Sequence, residues 1–399
     1  MMDEAKLFHA RKALIQAFLR DNGYDGILLS HANNFAMATG GKRNYIYQFS
    51  DNGANSLFID KNGAAYFVGN NIEETRLMAE ELGALGCESL SYLWTESNPA
   101  ERVRKEFSGN LVSDDGSLGE NVDGKLAYLR GLLTLDELEK YRRLGKLAAE
   151  AMVATVESVK AGMCEADIAA KLVSEGLKRR CQVPVALIAA DDRIAQFRHP
   201  LPTEAPLLAG SLTERAVRGY VMIVGCFLRE GLVASITRFV KTGDIPAHIP
   251  DAFARVCGVD ALMQEATEAG KTLGDVFAAC QSAYATLGFP ANEWHNHHQG
   301  GTAGYAGRAC IATPGEKSPI LNADRWERTI QEFAGLDVPL GHAFAWNPSA
   351  VGVKSEDTFI LLPDGTKEIV TSTPSLPRVD LEKVLGRKTE VKKSGIAGG

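Results

Sequence analysis

The sequence predicts an α+β protein of two domains: a smaller α/β domain over residues 1–133, a larger α+β domain over 134–377, and a tail over 378–399. Three observations carry this. The chain has 399 residues, more than the roughly 250 to 300 at which a single core stops growing. Its first third follows a helix, strand, hairpin, helix order. No strand leads into a Gly-rich phosphate turn of the dinucleotide or P-loop kind, so the sheet of the larger domain is expected to be mixed and largely antiparallel.

Each element has its own signal. Residues 3–21 carry Leu7, Ala10, Leu14, Ile15 and Phe18 at helical spacing. Residues 24–30 form an apolar strand, and 56–60 with 64–68 flank Asn62-Gly63, a pair suited to the positive φ of a tight hairpin. A helix over 73–82 follows, and the Asp- and Gly-rich stretches at 114–117 and 123–124 punctuate the exit. Thr134 with Glu137 has the spacing of a capping box. Leu138, Tyr141, Leu144, Ala148 and Met152 continue an apolar face as far as Gly162. Further helices are expected over 165–180, 250–269 and 273–287, and strands over 220–224, 232–239, 343–346 and 357–362. Residues 378–399, rich in Lys, Glu and Gly and without an apolar face, are expected to fray.

Composition excludes several classes. A net charge of −7 with scattered Lys and Arg gives no basic patch for nucleic acid. No apolar run approaches the ~18 residues of a membrane span. The charged, amphipathic start is unlike a secretion signal, so a cytoplasmic protein is expected. Seven cysteines, odd in number and widely spaced, imply reduced thiols.

The densest chemistry lies in Glu293-Trp294-His295-Asn296-His297-His298-Gln299-Gly300-Gly301, which continues through Tyr305 to Arg308. Three of the eight histidines fall in four positions before a Gly pair, a pattern for a metal or proton-transfer site on a tight turn. His199 stands in Phe197-Arg198-His199-Pro200, and Glu356 in Gly352-Val353-Lys354-Ser355-Glu356-Asp357-Thr358.

In this order, and together with Asp25-Gly26-Ile27-Leu28-Leu29-Ser30, the helix start at Leu138 and the Ile236-Thr237-Arg238 triplet, these motifs resemble the pita-bread family of aminopeptidase P, prolidase, methionine aminopeptidase and creatinase. The resemblance spans about residues 5 to 370. It implies a pita-bread C-terminal domain behind a creatinase-like N-terminal domain, and a homodimer. In the metallopeptidase members it implies two metal ions held by two Asp, one His and two Glu. Here the strand expected to carry the first Asp reads Tyr220-Val221-Met222-Ile223-Val224-Gly225-Cys226, Ser235 stands for the second, and Asn347 for the first Glu. A His at 297 or 298 and Glu356 are what remain, too little anionic charge for two divalent ions.

The expectation is therefore a hydrolase of an amide or amidine C–N bond in a small amino-acid-like substrate or short peptide, with no metal and no cofactor. By resemblance to creatinase, His199 is the general base, suited by an imidazole pKa near 6.5. His298 with His297 protonates or polarises the reacting group, and Glu356 binds a nitrogen or acts as acid/base partner. Arg308 holds a carboxylate, and Arg238, Tyr305 and Trp294 complete the substrate wall. Two alternatives stay open: a Xaa-Pro aminopeptidase- or dipeptidase-like metallopeptidase with a reduced site, for which His295, His297, His298 and Glu356 would be the donors, and a non-catalytic binder of peptides or proteins.

Overall fold

A computed structural model describes residues 3–204 and 216–398. The chain divides into two compact units, one of Met1–Lys140, Glu230–Leu232 and Asn322–Gly341, the other of Tyr141–Arg229, Val233–Leu321 and His342–Gly399. The first unit thus takes in residues beyond the boundary at 133.

The first unit is built on the helix Glu4–Asn22, capped by Asp3, which accepts from the Lys6 amide at 2.7 Å, and ended by Gly23 at φ 70°. Its sheet runs in the order Glu88–Tyr92, Ala65–Asn70, Asn52–Asp60, Gly26–His31, Leu111–Ser113. The two central pairings are antiparallel and the outer two parallel. Asn62-Gly63 turns the hairpin with Gly63 at φ 87°. The Thr134 amide donates to Glu137 at 2.8 Å, and the Glu137 amide donates to the Thr134 hydroxyl at 3.3 Å. The Glu137 carboxylate also accepts from buried Arg11 at 2.5 and 2.7 Å, so one side chain both starts a helix and fastens it to the first. A helix not apparent from the sequence, Ala323–Ala334, docks on the first helix through Arg20–Glu332 at 2.8 Å and Arg325–Asp21 at 2.6 Å.

Among the described residues the second unit holds a two-stranded pair, Ser349–Ala350 with Val353–Lys354, and two larger sheets. One orders Ala397–Gly398, Leu232–Lys241, Tyr220–Arg229 and Gln182–Ala190. The other path runs Cys310–Ile311, Gly300–Thr302, Leu340–Trp346, Asp357–Leu361, Lys367–Ile369. The sheets meet where the Ser235 amide donates to the Thr358 hydroxyl at 2.8 Å, that hydroxyl donates back to the Ser235 carbonyl at 2.9 Å, and the Thr237 amide donates to the Glu356 carbonyl at 3.2 Å. Helices Ile249–Ala266 and Leu273–Thr286 lie close to expectation, the second started by a Thr272/Asp275 capping box. Strand Gln182–Ala190 was hidden in the sequence by Pro184, which an edge strand tolerates because it removes only one ladder donor.

The expected frayed tail is corrected. It forms the helix Leu381–Leu385 and the strand Ala397–Gly398, which pairs in parallel with Val240 and Lys241. Lys393 is 1% exposed, its ammonium 2.6 Å from Asp260 and 3.2 Å from Asp357. Its partners lie far off in sequence, so composition alone could not show them. None of the seven cysteines forms a disulfide among the described residues. Among the described residues no helix is long and apolar enough to cross a membrane.

Candidate active site

The histidine turn is set by its glycines. Gly300 has φ 100°, and a Cβ there would lie 2.2 Å from the Ala345 carbonyl oxygen. A Cβ on Gly301 would lie 1.8 Å from that of Cys310. Only glycine lets this short strand slot between its neighbours, and the slot fixes where residues 297 and 298 emerge. Gln299, fully buried, ties the turn by donating to the Trp294 carbonyl at 2.8 Å and the His297 carbonyl at 2.5 Å, while its Oε1 accepts from Tyr284 at 3.0 Å. Arg198 reaches Glu293 at 2.6 Å and so draws the neighbouring His199 onto the same turn.

His199, His297 and His298 converge. One ring nitrogen from each lies within 4.8 Å of the others, and the Nε2 atoms of His199 and His297 are 2.9 Å apart. His199 is exposed, His298 half-buried and His297 buried. Burial, then the Lys354 ammonium, holds His297 down at about 2. Burial, then the Arg308 guanidinium and Lys354, holds His298 at about 4. His199 is lowered for the same reasons, burial first and then Lys354. All three rings are therefore neutral near pH 7. The Nδ1 of His297 is turned to the His298 carbonyl, which places its proton there and leaves Nε2 with a lone pair. The Nδ1 of His298 is buried without a hydrogen-bond partner among the described residues.

Glu356, 2% exposed, is the acid of the site. It accepts from Arg308 and from the Thr237 hydroxyl, each at 2.5 Å, with the Lys354 ammonium at 3.7 Å. Burial pushes its carboxyl up, but Lys354 and Arg308 outweigh burial and hold it down at about 2. Arg308 also donates to the Ser235 hydroxyl at 3.3 Å, and that hydroxyl lies 3.3 Å from the Cys226 thiol.

These residues do not fit the pair of metal ions that the family resemblance implies. At the positions expected to be carboxylates stand Ser235, Asn347 and the apolar face of strand Tyr220–Arg229, whose Met222 and Val224 belong to the core. The remaining carboxylate is already matched by two cations. Two divalent ions need several anions to offset their repulsion, and here the added charges are positive.

The other expected residues are placed differently. Arg238 does not face a substrate space: it is buried, with Asp357 at 2.7 Å, the Thr373 hydroxyl at 2.8 Å and the Thr371 carbonyl at 2.9 Å. Tyr305 is 1% exposed and part of the packing. Trp294 donates to the Ala291 carbonyl at 2.9 Å and packs edge-on to Phe277. His295 is exposed and outside the convergent trio, where His199 takes its place. Arg308 is not a free carboxylate clamp, because Glu356 holds it. Lys354 had no expected role. Its signal was present: two positions before the retained acid in an extended segment, it shares that acid's face.

A model of metallopeptidase family M24 matches residues 139–360. Solved structures share the fold at low identity. The dipeptidase PepE from Mycobacterium ulcerans has a TM-score of 0.69 at 14% identity, covering 100% of both chains. A recombinant prolidase from Thermococcus sibiricus has 0.68 at 18%, covering 93% of this chain and 98% of that one. A dipeptidase from Pyrococcus horikoshii OT3 has 0.67 at 16%, covering 91% and 98%. No curated protein matches the chain.

Proposed function

Because the chain belongs to metallopeptidase family M24, we propose that it hydrolyses an amide C–N bond in a dipeptide-like or other small amino-acid-like substrate, at the cluster of His199, His297 and His298. The oxygen of water bonds to the carbonyl carbon and the C–N bond breaks. The protons of that water go to the new carboxyl group and the leaving nitrogen. The observation that carries the reading is the convergence of three neutral imidazoles, one of them open to solvent, beside buried Glu356 and Lys354 and half-buried Arg308.

That group also bears on the substrate. An amidine would need a free carboxylate, and Glu356 is already taken by Arg308, Thr237 and Lys354. A substrate with an anionic end suits the surplus of positive charge, which favours dipeptide-like amides over amidines. The expectation of a metal-free reaction rested on the missing carboxylates. Their loss argues against two ions and leaves the imidazole donors untouched. A non-catalytic binder has less support, since it has no need of three imidazoles meeting where solvent reaches. A homodimer belongs to the same proposal and is checked by sedimentation velocity.

The test is release of free amino acid from a panel of dipeptides, including Xaa-Pro, by protein supplied with Zn²⁺, Mn²⁺ or Co²⁺ and by chelated protein. His297→Ala should lower kcat/KM on the best substrate by about 100-fold or more. Failure to cleave any dipeptide under either condition would end the proposal.

A further inference from the structure

We propose that His199, His297 and His298 form a mononuclear site for a zinc-like divalent ion, a three-imidazole site in place of a carboxylate-bridged pair. The inference rests on the hydrolase reading and names the ion that the site would hold.

Four features support it. One nitrogen from each ring lies within 4.8 Å of the other two, and a tetrahedral zinc ion with ligands about 2.0 to 2.1 Å away holds its donors roughly 3.4 Å apart. Reaching that spacing opens the 2.9 Å between His199 and His297 and draws in any nitrogen lying toward the 4.8 Å limit. Next, the His297 ring is already oriented as a ligand is, its Nδ1 turned to the His298 carbonyl and its Nε2 facing the trio. A backbone carbonyl behind a ligating imidazole fixes both tautomer and direction. The buried Nδ1 of His298 has no partner among the described residues, and an uncompensated polar atom of that kind costs stability unless something binds there. Finally, His199 is exposed, so an ion can enter and a fourth position stays open to water.

Charge selects one ion over two. Three neutral imidazoles bring no charge, and Glu356 is offset by Arg308 and Lys354. A single dication is the most this setting accepts, and Lys354 works against it. This assignment gives His199 the task of holding the ion in place of proton transfer.

Metal-stripped full-length protein titrated with Zn²⁺ by calorimetry, and with Co²⁺ by visible absorption, tests the proposal without reference to turnover. One equivalent should bind per chain, with the d–d bands of a four-coordinate, nitrogen-ligated Co²⁺. His199→Ala lies at an exposed position, so its fold can be verified by circular dichroism, and its affinity should fall by at least the roughly 10- to 100-fold seen for lost outer-shell partners. Lys354→Met should bind Co²⁺ more tightly than the parent, a gain that a merely structural lysine would not give. The proposal is overturned by absence of saturable uptake, by uptake unchanged in His199→Ala and His297→Ala, or by two equivalents per chain. Dipeptide cleavage by chelated protein that takes up no ion would remove this inference and leave the hydrolase reading in place.

Discussion

Glu356 and the histidines around it set the pH behaviour at the scale of single residues. In an unfolded chain imidazole titrates near 6.5, whereas folded His297 and His298 take a proton only at about 2 and about 4. The unfolded state binds those protons first, so stability is complete above about pH 6.5 and falls as pH drops toward the folded values, by roughly 1.4 kcal/mol per pH unit for each ring. Glu356 adds a second, lower window. Its folded value of about 2 lies below the ordinary carboxylate value near 4.3, so its contribution is present above about 4.3 and is lost toward 2. Urea midpoints of metal-free protein should therefore decline already between pH 6.5 and 5, and His297→Asn should flatten that decline. A midpoint constant from pH 7 to 5 contradicts the buried neutral rings. Glu356→Gln leaves Arg308 and Lys354 facing each other and should cost about 3 kcal/mol at pH 7, most of it recovered in the double variant Glu356→Gln/Lys354→Met. Equal losses in the single and double variants would mean that charge is not the cause.

At the scale of elements, the glycine strand governs whether the trio exists at all. The 1.8 Å approach of a Gly301 Cβ to the Cys310 carbonyl leaves no room for any side chain. Gly301→Ala should push the strand Gly300–Thr302 from its slot, costing about 3 kcal/mol or more, and should abolish catalysis although no site residue is changed. A Gly301→Ala protein with unaltered melting temperature would refute this. The same scale shows how much was legible in the sequence. The helix over 3–21 announced itself by periodicity, the one after Thr134 by its capping box, and the Asn62-Gly63 hairpin by its turn residues, because those signals are local. The histidine-glycine turn could be located from sequence, and so could the missing carboxylates at Ser235 and Asn347. The joining of His199 to His297 across 98 positions could not be read from the residues alone. Nor could the capture of Arg308 by Glu356, because each depends on two strands meeting in space. Arg238 looked like a substrate contact for the same reason: its five donors are consumed by partners such as Asp357 and Thr373, over 100 residues away.

At the scale of the molecule, the last twenty residues close the larger unit. The tail's Lys393 ammonium lies between Asp260 of the helix Ile249–Ala266 and Asp357, the residue after Glu356. Asp357 in turn accepts from Arg238 and from the Thr371 hydroxyl. Four distant segments thus meet at one buried charge cluster directly behind the site. Removing a single member of such a cluster is worse than removing the whole, because the partners stay buried and unmatched. Lys393→Met should therefore destabilise the protein by about 3 to 5 kcal/mol at pH 7, and Lys393→Met/Asp260→Asn by less. The sign with pH follows from the same partners. Burial already pushes Asp260 upward against the pull of Lys393, so without the lysine Asp260 takes up a proton more readily in the fold, and the gap between variant and parent should narrow as pH falls from 7 to 5. Urea midpoints for the three proteins at the two pH values decide the matter: a gap that widens on acidification, or a double variant weaker than the single, would show that the tail holds the unit by packing rather than by this charge.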